Sequence, residues 1–355
     1  MTPSGQTAGP SARVFPLGGP PAQDDAADAA IELRSIVPQE LSAQVHELNR
    51  FVQELDPESD RAYELLESRL DGIRLLTARL ERQGVVNSSN SESLRDWFKA
   101  QVAPWLMQSR LMHRATTWPE GYPGDFVTLE SVYAREASGQ GLARLVDQYF
   151  LSRTLAVAVR SRRNELAKIL EERARIEGGA GRWLNIACGP CRELTLILDR
   201  AAASVVYCVD SDPNALKHAA SLLERGTNWY FEFIEENAFR FVNAKRTVQR
   251  YGSLSTIYSA GLFDYIATDK LVPIIAALYE ALAPGGALIA PFKDRDHYET
   301  FDYHWLAKWT YFYQRRKVEF DEVFRLADVP ESAIKVTRDE SGVLLFYVIT
   351  KPEGK

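Results

Sequence analysis

The stretch GRWLNIACGPCREL, Gly181 to Leu194, is an apolar run that stops at Cys-Gly-Pro and resumes as a helix-like pattern. A strand that turns into a helix through one glycine lets the backbone approach a ligand closely, with the first helical amides aimed at the same spot. Asp210 ends the next apolar run, in YCVDSDP, 21 positions after Gly189. At that interval an acidic side chain can accept hydrogen bonds from a ribose. Asp-Ser-Asp-Pro is also a good helix start, so capping is the competing role for Asp210. The G-x-G-x-x-G pattern of a dinucleotide site is absent, and Gly189-Pro190-Cys191 offers too little backbone room for a pyrophosphate. Cys188 and Cys191 form a C-x-x-C, but the third cysteine, Cys208, stands alone, so neither a disulfide framework nor a metal site is expected.

These residues need a scaffold, and 355 residues with 46% hydrophobic content supply about two units at roughly 100 to 200 residues each. Residues 1–27, rich in Pro, Gly, Ala, Ser and Asp, are expected to be a disordered tail. Residues 28–180 read as helical: LSAQVHELNRFVQEL and AYELLESRLDGIRLLTARL repeat apolar residues at intervals of three and four. Over residues 181–355 short apolar runs (RWLNIA, SVVYCVD, WYFEFI, LSTIYS, GALIAPF) alternate with helical segments near Arg192–Ala203, Pro213–Glu224 and Asp269–Ala283. That is the texture of a parallel sheet with crossover helices. SAIKVTRDES and GVLLFYVITK follow too closely on one another for a parallel crossover and predict a terminal antiparallel hairpin, while LAPGG predicts a turn. The net charge of -6 argues against nucleic acid as the main partner. Neither an apolar run of about 18 residues nor a signal-like start is found, so a cytoplasmic chain without a membrane span is expected, with a homo-oligomer left open.

The glycine loop resembles the first motif of the class I S-adenosylmethionine-dependent methyltransferases. NIACGPCREL, YSAGLFDYIATD, LYEALAPGGALIAPF and GYPGDFVTLESVY together are similar to bacterial methyltransferases of 3-hydroxypalmitic acid methyl ester biosynthesis, over roughly Arg114 to Thr350. The resemblance implies an α/β Rossmann-like sheet under an N-terminal helical cap, with S-adenosylmethionine as cofactor. It implies Ala187, Cys188 and Gly189 beneath the methionine part, Asp210 on the ribose and Ser211 or Asp212 near the adenine. Asn237 would reach the adenine amino group, and Ser259, Ala260 and Gly261 would face the sulfonium. Capping is the competing role for Asn237.

Outside the sheet, Pro119, Gly121, Pro123 and Gly124 form a stiff loop before a helix that Asp125 is placed to cap. A lid with Tyr122 and Asp125 facing the cofactor is expected there, and Arg163 is a candidate partner for the cofactor carboxylate. The segment KDRDHYETFDYHWLAKWTYFYQRRKVEF is dense in aromatics, which pack in the core or wall an apolar acceptor site; Tyr303 and Trp309 are the candidates for the second role. Members of the resembling family usually carry acidic residues before that Trp, whereas this chain has His304 and Lys308.

Methyl transfer to a carboxylate needs no general base, whereas a hydroxyl, amine or carbon acceptor does, with His297, His304 or Asp264 as candidates. The expected activity is carboxyl O-methylation of a fatty or similarly apolar small molecule, with Tyr122, Tyr303 and His304 nearest the chemistry and Trp309 and Lys308 on the acceptor. C-methylation of a prenyl substrate and a non-catalytic adenosyl-binding module are the alternatives.

Overall fold

A computed structural model of the protein describes residues 36–201, 203, 205–224, 229–309 and 312–353. The tail expected over residues 1–27 and Tyr311 of the aromatic segment lie outside the described residues. Among the described residues seven helices precede the sheet: α1 (Gln39–Glu54), α2 (Ala62–Arg82), α3 (Ser91–Leu106), α4 (Arg110–Thr117), α5 (Phe126–Ala134), α6 (Gly141–Ser152) and α7 (Thr154–Ile176). The sheet follows as β1 (Arg182–Ile186), β2 (Val205–Asp210), β3 (Phe231–Glu235), β4 (Leu254–Tyr258), β5 (Leu282–Lys293), β6 (Ile334–Arg338) and β7 (Leu344–Thr350). Its order is β3-β2-β1-β4-β5-β7-β6. β1 to β5 run parallel, and β7 lies antiparallel to both β5 and β6, as a short connection requires.

The inner strands of the sheet are largely apolar on both faces because each face is covered, whereas the edge strands β3 and β6 carry charged, partly exposed residues. Period two sorts the side chains: Trp183, Val206, Cys208 and Phe346 join one core, and Leu184, Tyr207, Val209, Leu345 and Tyr347 join the other. The first core continues without interruption into the buried stripes of the N-terminal helices, such as Leu41, Val45 and Leu48 of α1 and Leu66, Leu70 and Ile73 of α2. The second core is closed by α10 (Ala244–Tyr251), α11 (Thr268–Ala281) and α12 (Lys317–Leu326), numbered after α8 (Arg192–Thr195) and α9 (Pro213–Leu223).

Two local readings are corrected. The helix expected over Arg192–Ala203 is one α-turn, α8, which gives way to turns from Leu196. LAPGG is a bulged part of β5 rather than a turn before it: Leu282 pairs with Leu254 but Ala287 with Thr256, and Gly285 takes φ +72°. Within the aromatic segment Asp302–Leu306 closes a π-type turn, with all five residues buried. So short a turn sends neighbouring side chains to different surroundings, which decides the places of Tyr303 and His304.

Helix α7 fixes the position of the site. At its carboxyl end the Glu177 carboxylate accepts from Thr256 Oγ1 (2.8 Å), Trp183 Nε1 (2.6 Å) and Arg173 Nη2 (2.9 Å), tying the helix to β1 and β4. A rise of about 1.5 Å per residue places Arg162 roughly 16 Å from Arg173, near the opposite edge of the sheet.

Candidate functional site

A cavity of about 370 Å³ opens at the carboxyl edge of β1, β2, β4 and β5, the edge at which open α/β sheets take ligands. Its floor is the loop from β1 to α8. Ala187, Gly189 and Cys191 take φ of +51°, +52° and +50°, so three alternate residues are left-handed although one alone is glycine. This coil turns Ala187, Cys188, Gly189 and Pro190 to the cavity. Asp210, at the end of β2, accepts from Gly189 N at 2.8 Å and Asp212 N at 3.0 Å. A carboxylate offers about four lone-pair sites, so these amides leave accepting capacity for a hydroxyl donor. Burial raises the Asp210 pKa, partly offset by those backbone amides. Ser211 lies beside it on the cavity wall.

The GYPGD loop closes the same end. Tyr122 lines the cavity and its hydroxyl donates to Asp212 Oδ2 at 2.9 Å; Asp212 also caps α9 by accepting from Asn214 N at 2.8 Å. Burial and that hydrogen bond push the Tyr122 phenol well above its ordinary range, so it stays a donor. Gly124 takes φ +75°, and a Cβ there would lie 2.6 Å from the Trp309 ring. The loop and the aromatic segment thus meet over the cavity, with the Trp309 indole N–H donating to Tyr265 Oη at 2.8 Å.

Several expected site residues stand elsewhere. Asp125 is 1% exposed but does not line the cavity; it caps α5 through Thr128 N (2.8 Å), and both its oxygens accept from Arg114 Nε (2.8 and 2.9 Å). Arg163 turns outward, donating to Asn164 Oδ1 at 3.0 Å and covering the Tyr133 ring at 5.2 Å. Its neighbour Arg162 enters the cavity instead, because α7 presents Ala156, Val159 and Arg162 on one face. Asn237 caps a short 3₁₀ turn, accepting from Phe239 N at 2.9 Å, outside the cavity wall. Ser259 is buried and accepts from Leu262 N at 3.4 Å, leaving Ala260 and Gly261 to face the cavity. Lys308 sits over the Trp118 ring at 5.9 Å, away from the wall. Tyr303 and Trp309 do line it, with Phe150 and Phe312.

His304 packs on the far side of its turn. Its Nε2 is 2.9 Å from Gln314 Nε2, a contact in which the amide donates and the imidazole accepts. Burial, with Arg95, Arg295 and Lys99 nearby, lowers its pKa to about 3, so it remains neutral and remote from any acceptor. His297 pairs with Asp294 at 3.0 Å, and Asp264 with Lys293 at 2.6 Å.

Charged wall residues that the sequence reading passed over are Arg162, Glu193 and Lys293. Arg162 is 6% exposed, and its Nε lacks a hydrogen-bond partner among the described residues. Glu193, in α8, accepts from Tyr258 Oη (3.0 Å) and Asn185 Nδ2 (3.1 Å), and burial raises its pKa to about 7. Lys293 ends β5 as the strand's one charged residue, directly after the apolar run GALIAPF, a signal legible in the sequence. Among the described residues no cluster of three or more His, Cys, Asp or Glu could hold a metal ion, and no helix is long and apolar enough to cross a membrane.

Residues 184–286 match the family described as Methyltransferase domain. No curated protein matches the chain. Among solved structures it is similar to one titled a possible exported protein from Bordetella parapertussis, at 15% identity over 75% of this chain and 99% of that one, with a TM-score of 0.53. This likeness is one of fold. An O-methyltransferase family protein from Burkholderia thailandensis gives a TM-score of 0.42 at 15% identity, over 59% of this chain and 63% of that one. Magnesium protoporphyrin IX methyltransferase from Synechocystis PCC 6803, solved with SAM bound, gives 0.38 at 10% identity, over 56% and 83%. The sheet edge, the left-handed loop and Asp210 all fall within or against the matched segment: residues 184–286 are a class I methyltransferase domain, and the protein is an enzyme that takes its methyl group from S-adenosylmethionine.

Proposed function

We propose that the enzyme methylates the carboxyl group of a small apolar acid, within or near the 3-hydroxypalmitic acid methyl ester family that its motifs resemble. The supporting observation is the acceptor half of the cavity: aromatic walls, the Lys293 ammonium and, among the described residues, no histidine. The donor half fits S-adenosylmethionine. Asp210 would hold the ribose hydroxyls, Ser211 would border the adenine, and the loop from Ala187 to Gly189 would pass beneath the methionine chain. Arg162, with its unpartnered Nε, would hold the donor carboxylate. Tyr122, latched to Asp212, would keep water from the ribose end.

When bound, the cofactor supplies a methyl group on a sulfonium. The acceptor carboxylate oxygen forms the new C–O bond as the C–S bond breaks and its electron pair passes to sulfur. Negative and positive charges cancel, and no proton has to leave. What the protein contributes is alignment and a dry cavity.

Asp210→Ala is expected to weaken S-adenosylmethionine binding by at least about 1.5 kcal/mol, because it removes a charge-assisted acceptor. Isothermal titration checks it, and an unchanged affinity would remove the ribose assignment. For the acceptor, activity is expected to rise with chain length until the cavity is filled, since each buried methylene adds about 0.8 kcal/mol. Trp309→Ala should then change the preferred length or abolish turnover without altering donor affinity. A mass-spectrometric search for one added methylene, across acids and prenyl compounds of graded length, tests both. Indifference to length would return the aromatics to a purely structural role.

Glu193 favours a second reading, in which the acceptor, such as a prenyl carbon, must lose a proton. A buried carboxyl titrating near 7 suits a general base. Turnover would then rise with pH through about 7 as Glu193 ionises, whereas a carboxylate acceptor is already ionised there.

A further inference from the structure

Lys293 is 7% exposed, and its Nζ lies 2.6 Å from Asp264 Oδ2. An ammonium has three donors, and among the described residues Asp264 is the one hydrogen-bond partner of this Nζ. The rings of Tyr265 and Phe312 lie 5.5 and 5.0 Å away and offer π faces, not lone pairs. Phe150, Tyr303 and Trp309 continue that apolar wall. Asp264 itself is fixed, since its backbone carbonyl accepts from Tyr313 N at 2.7 Å and its Oδ1 from Lys293 N at 3.4 Å. Burial and the nearby Arg162 both work against the Lys293 charge, which Asp264 sustains. Lys293 therefore lines the cavity with Asp264 held behind it, and the ammonium keeps open donors toward an apolar space. The ligand that completes such a group is an anion at the end of an apolar chain.

We propose that Lys293 anchors the acceptor's carboxylate through one oxygen, leaving the other free to attack, and that Asp264 holds the ammonium in position for it. The inference rests on the acid-methylating reading above and names the residue that selects acids. The competing source of a carboxylate is the donor, which the test separates.

The full-length enzyme saturated with S-adenosylhomocysteine is titrated with dodecanoic acid and with dodecanamide. Wild type is expected to bind the acid at least about 10-fold more tightly, a difference that Lys293→Met reduces to about 2-fold or less and Lys293→Arg largely keeps. S-adenosylhomocysteine affinity should stay within about 2-fold in both variants. If the Met variant fails to fold, Lys293→Gln is compared in its place. A preserved acid preference in the folded Met or Gln variant overturns the proposal, as does a tenfold loss of S-adenosylhomocysteine affinity, which would assign Lys293 to the donor. Methyl transfer is measured separately on the wild type. Acid selection at Lys293 with no transfer to any acid would sink the proposed reaction and leave the anchor standing; transfer to acids with selection unaffected by Lys293 would do the reverse.

Discussion

Arg162→Met is expected to weaken S-adenosylhomocysteine binding about 100-fold, close to 3 kcal/mol, while leaving the thermal midpoint unchanged or slightly raised. The two halves of this result have one cause. The guanidinium is buried at the cavity, bonded to the Tyr133 hydroxyl but with Nε unpartnered. In the free enzyme it therefore returns little of its desolvation cost, and an apolar side chain of similar length is tolerated. Once a carboxylate arrives, charge-assisted bonds form in a region with little competing water, and these are what Met cannot replace. Calorimetric titration together with a melting curve checks both halves. Normal affinity in the variant would hand the carboxylate to another group, and a large drop in melting temperature would make Arg162 structural. A glycine supports its placing: a Cβ at Gly261 would lie 2.5 Å from Arg162 Nη1, so the side chain is seated against the end of β4.

Asp125→Ala is expected to destabilise the fold by about 3 kcal/mol and to change donor affinity by less than about 5-fold under conditions where the variant is folded. The cap on α5 contributes about 1 kcal/mol of that loss. The rest follows from leaving Arg114 without the buried carboxylate that binds its Nε through both oxygens; Glu120 keeps only an Nη2 contact at 2.9 Å. Denaturant unfolding measures the first quantity and titration the second. Unchanged stability with lost affinity would restore Asp125 to the cofactor site.

The chain announces its sheet more clearly than its site. Strand periodicity and the short link before GVLLFYVITK reveal the parallel sheet and its terminal hairpin because both depend on local pattern and chain reach. Gly189 and Asp210 are legible for the same reason, being fixed by one strand-to-helix turn and one spacing. The left-handed positions of Ala187 and Cys191 are not, since neither residue type suggests positive φ. Arg162 against Arg163 depends on the rotation of α7 about its own axis, which the Glu177 contacts at its far end help to set. His304 against Tyr303 depends on a π-type turn that no helical periodicity foretells.

One core joins one face of the sheet to the helices before it: Trp183, Val206 and Phe346 belong to the same apolar cluster as Leu41, Leu66 and Phe98. Recombination is constrained by this. A donor-binding sheet and an acceptor-shaping cap that shared only a linker could be exchanged between relatives as cassettes. Here a transplanted cap brings half of a jigsaw whose other half is the underside of the sheet, and mismatched volumes in such an interior cost several kcal/mol. If the cavity takes the acceptor as proposed, new acceptor preferences are expected more readily from point changes around Phe150, Tyr303, Trp309 and Phe312, which line it, than from exchange of whole helices.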